Sequence, residues 1–176
     1  MTVARRVAAW SVAIVAGVLL WRLRPDATAQ PARPANEPAP VRWAASWVPR
    51  PPATWWTRLL AYVWASPLTA AGILLGAASR TTPELHEGVV LFPEARGLGG
   101  WMLRYRGFAA STLGHAIIAA GRPSATLMRH ELVHVRQAER WGPLFVPLYV
   151  AALARYGYRA NPFERAAVAE ADGPAG

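Results

Sequence analysis

Three residues of the stretch "RHELVHVRQ", positions 129–137, have the types and spacing for metal chemistry: His130, Glu131 and His134. On an α-helix, residues four apart stack on one face. His130 and His134 can therefore present ring nitrogens to one point about 2.0–2.1 Å from each, as zinc requires. Glu131 is angled to the side of that point. A carboxylate there can take a proton from a water activated by the metal and later deliver it to a leaving group, without itself filling a coordination position.

Two histidines are one short of the three protein ligands usual for catalytic zinc. The chain has no cysteine, which excludes thiolate ligands, disulfides and a cysteine nucleophile, and no histidine follows His134. The downstream candidates are Glu139, Glu164, Glu170 and Asp172. Glu139 is on the same helix but points away from the histidine face, and Asp172 is close to the terminus. Glu164, in "NPFERAA", begins a separate helix that a helical hairpin can return beside the first. It has a second reading: Asn161 followed three residues later by a glutamate is close to a capping box, in which Glu164 would bond the N-cap amide of its own helix.

These side chains need elements to hold them. Ser124 is a candidate N-cap for a helix from Ala125 to about Trp141, which Gly142 and Pro143 then stop. A second apolar segment, Leu144 to Tyr156, closes at Gly157, and Asn161 with Pro162 opens the last helix. Upstream, "GVVLF" (88–92), "WMLRY" (101–105) and "TLGHAIIA" (112–119) read as strands separated by glycine turns, a small antiparallel sheet. The fold class expected is α+β: a short sheet, an active-site helix and a helical hairpin over residues 80–172.

What precedes this domain is apolar. Residues 1–24 hold an uncharged run, Val7–Trp21, between arginine pairs, which reads as a signal anchor or signal peptide. Residues 25–57 are rich in Pro and Ala and read as a linker ending in a tryptophan cluster, Trp43, Trp47, Trp55 and Trp56. Residues 58–79 contain 20 uncharged positions, Leu59 to Ala78, the length of a transmembrane helix. Pro67 and two glycines would be costly in a soluble helix.

The formal charge of +9 comes with 19 basic residues, every one an arginine, scattered rather than grouped. That distribution favours a membrane surface over nucleic acid as partner. The expected location is a bacterial inner membrane, with the side of the catalytic domain open.

H-E-x-x-H followed thirty positions after His134 by Glu164 in an E-x-x-A context resembles the gluzincin group of zinc metallopeptidases, and "HELVHVRQ" is similar to small bacterial membrane-associated H-E-x-x-H domains. The resemblance implies a minimal zincin-like fold in which His130, His134 and Glu164 bind Zn2+ and Glu131 is the general base and acid. It implies hydrolysis of a protein or peptide laid along an edge strand, for which "TLGHAIIA" is placed. His115 and Gln137 would then border the substrate cleft, and Tyr158 is the tyrosine chosen from Tyr149, Tyr156 and Tyr158 to polarise a carbonyl. One position departs from the pattern: Val168 stands where some gluzincins carry a carboxylate that orients a histidine. The alternative is a non-catalytic membrane scaffold that keeps the zincin arrangement.

Overall fold

Helix α1 (Ala39–Ser46) lies within the stretch read as linker and packs against the last helix of the chain. The Glu37 carboxylate beside it pairs with Arg165. This is a computed structural model that describes residues 37–46 and 52–172. The expected signal anchor and Trp47 lie outside the described residues.

Helix α2 (Trp55–Ala77) starts at a capping box between Thr54 and Thr57 and runs for 23 residues through Pro67. By length and composition it is apolar enough to cross a membrane. Its inner face is built from small residues, with Ala65, Gly72 and Gly76 buried. A Cβ at Gly72 would lie 2.7 Å from both Ala116 Cβ and the Leu113 carbonyl oxygen, so only glycine lets the sheet dock this closely.

Four strands follow: β1 (Glu84–His86), β2 (Val89–Phe92), β3 (Ala110–Leu113) and β4 (Ala116–Ala119), in the order β1-β2-β4-β3. The expected all-antiparallel sheet is corrected to a mixed one, because β2 and β4 run parallel. The reason is a crossover helix, α3 (Gly97–Arg106), between β2 and the β3–β4 hairpin. Parallel neighbours need such a connection.

Two of the three strands read from the sequence change accordingly. "WMLRY" is helical: its alternation resembles a strand, but Gly99, Gly100 and Leu103 are the buried positions, at helical spacing, and Trp101 stacks on Tyr105 at 5.3 Å, four residues on. Gly107 closes the helix in the left-handed region. "TLGHAIIA" is two strands rather than one, since Leu113 pairs with Ala116 across a two-residue turn. Gly114 takes φ +59 there, as the first central position of a tight hairpin demands.

Central strand β4 is buried along its whole length, and its alternation divides the core. Ile117 and Ala119 join Val89, Leu91, Met128 and Val135 under helix α4 (Ala125–Trp141). Ala116 and Ile118 join Phe92, Ala95 and Leu103 on the other face. Burying each isoleucine contributes roughly 1.5–3 kcal/mol. After a 3-10 turn at Gly142–Leu144 come α5 (Phe145–Ala160) and α6 (Pro162–Ala171). Ala138, Phe145, Ala152 and Phe163 form a third cluster where these helices meet α4. The chain is thus α+β, with a mixed four-stranded sheet and helices that bring α6 back beside α4.

Candidate metal centre

Ser124 accepts a hydrogen bond from the Leu127 amide and fixes the start of α4, which sets the phase of everything that follows on it. His130 and His134 then lie one turn apart, with their Nε2 atoms 3.2 Å from each other. Helix α6 returns Glu164 to the same point. Its Oε2 is 3.4 Å from His130 Nε2 and its Oε1 is 3.4 Å from His134 Nε2. These three residues form a group able to hold a metal ion.

Donors at about 2.0–2.1 Å around a tetrahedral centre are separated by about 3.3–3.4 Å along each edge. The His130–His134 separation, 3.2 Å, is close to that edge, while Glu164 turns one carboxylate oxygen to each histidine at 3.4 Å. The donor set, two imidazoles and a carboxylate, is also one that zinc accepts.

The alternative role of Glu164 as a cap, accepting from the Asn161 backbone amide, is filled by the Tyr158 carbonyl at 3.2 Å. Asn161 Oδ1 accepts from the Phe163 amide at 3.1 Å, while the Asn161 amide group donates to the Tyr149 carbonyl. The Glu164 carboxylate instead accepts from the Tyr149 hydroxyl at 2.5 Å.

Gln137 is not a cleft residue. It is 1% exposed, its Nε2 donates to the Phe163 carbonyl at 3.1 Å, and its Oε1 lies 2.8 Å from His134 Nδ1. With the amide nitrogen committed to Phe163, the oxygen must accept from Nδ1–H. That fixes the His134 tautomer and leaves Nε2 to face His130 and Glu164. Gln137 and Tyr149 thus do the orienting for which Val168 is unsuited. The signal for Gln137 was present in the spacing, because positions 130, 134 and 137 fall on one helical stripe.

The electrostatics ask for a cation. Burial would push the Glu164 carboxyl up, yet the His134 and His130 imidazoles outweigh it and hold it well below the usual carboxylate range. Burial would lower His134, but the Glu164 carboxylate, assisted by Glu131 and Gln137, reverses the sign and pushes it up to about 9. Two Nε2 lone pairs and a carboxylate within 3.4 Å are mutually repulsive unless a proton or a metal ion sits among them.

Glu131 belongs to no ligand pair. It is buried, and Thr112 on β3 donates to its Oε2 at 2.5 Å. Burial raises its carboxyl against the opposing pull of His134 and Thr112. Tyr158 also reaches this region. Gly157 interrupts α5 at φ 75 and ψ 172, and beyond it burial and the Glu164 carboxylate both raise the Tyr158 phenol. Both causes also raise Tyr149, so each tyrosine stays a neutral donor.

His115 is the sequence candidate that lies elsewhere. It is 3% exposed in the β3–β4 turn, with Nε2 3.0 Å from Glu139 Oε1, Nδ1 3.3 Å from Thr69 Oγ1, and its ring stacked on Tyr62 at 3.9 Å. The cleft it lines, with Tyr62, Arg136 and Glu139, contains none of the His130, Glu131, His134 or Glu164 side chains. Its expected place in the substrate cleft of the metal centre is therefore corrected to a brace between α2 and α4. In comparisons with protein-family models, curated proteins and solved structures, nothing matches this chain.

Proposed function

We propose that the chain is a membrane-associated, zinc-dependent metallopeptidase with a minimal zincin-like domain. The observation that carries this reading is the convergence of His130, His134 and Glu164 on one point, with Glu131 beside the set but outside it. Bound there, zinc would supply Lewis acidity and lower the pKa of a water ligand toward neutrality. Glu131, held by Thr112, would take the proton of the attacking water and return it to the leaving group. The neutral Tyr158 phenol, beside Glu164, would be the donor to the carbonyl. The apolar outer face of α2 supports the membrane part of the proposal.

Zinc content of the purified full chain tests the first step: one zinc per chain is expected, and none in His134→Ala. Peptide hydrolysis follows the same samples. A wild type that folds without taking up zinc would overturn the proposal. Full zinc with no hydrolysis of unstructured peptides would favour the scaffold alternative.

A further inference from the structure

We infer that α2 lies along the bilayer surface and buries one apolar stripe among the lipid headgroups and upper acyl chains, rather than crossing the membrane. The inference rests on the membrane part of the proposal above and is independent of the zinc.

The domain touches α2 along nearly all of its length. Tyr62 donates to the Gly88 carbonyl, Trp64 Nε1 to the Arg140 carbonyl, and Thr69 accepts from the His115 amide. Gly72 meets β3 and β4, and Gly76 meets the Phe92 ring. From Tyr62 to Gly76 the axis advances about 21 Å, most of a hydrocarbon core about 30 Å thick. Were α2 to span, the elements beside it would sit at the same depth. Those elements carry Glu87, Arg136 and Glu139 around the cleft at Tyr62, and they include the edge strand β3, whose outer side has no strand partner among the described residues. Lipid cannot satisfy such groups, and irregular backbone at membrane depth survives only when enclosed by protein or facing water.

The opposite face has the converse character. Trp56, Leu60, Val63 and Leu74 are 52, 59, 61 and 73% exposed, and Pro67 and Ala70 continue the stripe between them at helical spacing. No charge interrupts it from Leu59 to Ala78. A face this long and apolar exceeds what a monomer ordinarily leaves to water. Its borders identify lipid as the occupant: Trp55 and Trp56 at one end, Arg58 and Arg80 on either side, and a net charge of +9 that suits anionic headgroups. The sequence upstream, with Val7–Trp21 between arginines, supplies a second membrane-seeking run. A helix with one lipid-facing stripe and one protein-facing side is the geometry of an interfacial helix.

The chain has no cysteine, so single substitutions at the exposed positions Leu60, Ala70 and Leu74 give unique spin-label sites. The full chain carrying each label is reconstituted in phosphatidylglycerol–phosphatidylethanolamine vesicles, and label depth is measured by oxygen and nickel-chelate relaxation. Three equal, shallow depths, about 5–10 Å below the phosphates, are expected. A label near the midplane at Ala70, with Leu60 and Leu74 reached by an impermeant thiol reagent from opposite sides, would overturn the inference while leaving membrane association intact. Labels that never meet lipid, because a second copy or the N-terminal run covers the stripe, would overturn it too. Failure to sediment with the vesicles would remove the membrane reading altogether. Zinc content, measured on the same samples, reports separately on the metal centre.

Discussion

Helix α4 carries two histidine–carboxylate arrangements on different sides, and they differ in what is left over. His115, reaching α4 through Glu139, has both ring nitrogens engaged, one by Glu139 and one by Thr69. His134 uses only Nδ1, on Gln137, and its Nε2 points at another Nε2 and a carboxylate. Burial and the presence of a glutamate do not distinguish the two, since both histidines are buried and each faces one. A ligand is recognised by the nitrogen that structural hydrogen bonding leaves uncommitted.

The comparison breaks most visibly at Glu131. Glu131→Gln should keep full zinc content while hydrolysis falls by about 10²–10⁴-fold, the usual worth of a general base. Equal loss of zinc and activity would mean that Glu131 is a ligand or a packing residue.

Next in size is a pH effect on the metal-free chain. The raised His134 value means the imidazolium contributes stability that is fully present below the ordinary value near 6.5 and is lost as pH rises through about 9. Integrated, this is at most about 3 kcal/mol. Denaturant titrations at pH 6 and pH 9.5 should show that loss without metal. With zinc the trend should reverse, because the ligand must be deprotonated.

Gln137→Leu removes the acceptor at His134 Nδ1 and should weaken zinc binding by about 10–100-fold, read by chelator competition. His115→Ala should leave zinc affinity unchanged and lower stability by about 1–2 kcal/mol, because Glu139 and Thr69 lose a buried partner. A change of zinc affinity in His115→Ala would erase the distinction between the two arrangements.

What the sequence revealed was local. The α4 boundaries follow from Ser124 and Gly142, and the stripe of His130 and His134 from helical spacing, so both were legible. "WMLRY" misled because alternation over five residues fits a strand as well as it fits a helix whose rings stack four apart. The break inside "TLGHAIIA" depends on one glycine at positive φ, and a glycine within an apolar run does not announce its φ. Gln137 was read as a cleft residue because it lies one turn beyond His134. Its burial comes from α6, 26 residues further on, and Tyr149 likewise acquires its role only once α5 and α6 fold over the histidines. The linker reading of residues 25–57 took proline and alanine content as extended backbone and did not register that Ala39–Ser46 has a docking partner.

One further consequence follows from the interruption at Gly157. Residues nine apart on an unbroken helix project in opposite directions, two and a half turns from each other. Tyr149 and Tyr158 nevertheless both act on one carboxylate, and they can do so only because the axis is broken between them. The backbone angles at Gly157 belong to a region open almost solely to glycine, while nothing within 4 Å would obstruct a methyl group there. Backbone conformation, and not crowding, is therefore what calls for glycine at this joint. A single added carbon at Gly157 would act as a splint, straightening α5 and turning Tyr158 away from Glu164 while His130, His134 and Glu164 stayed where they are.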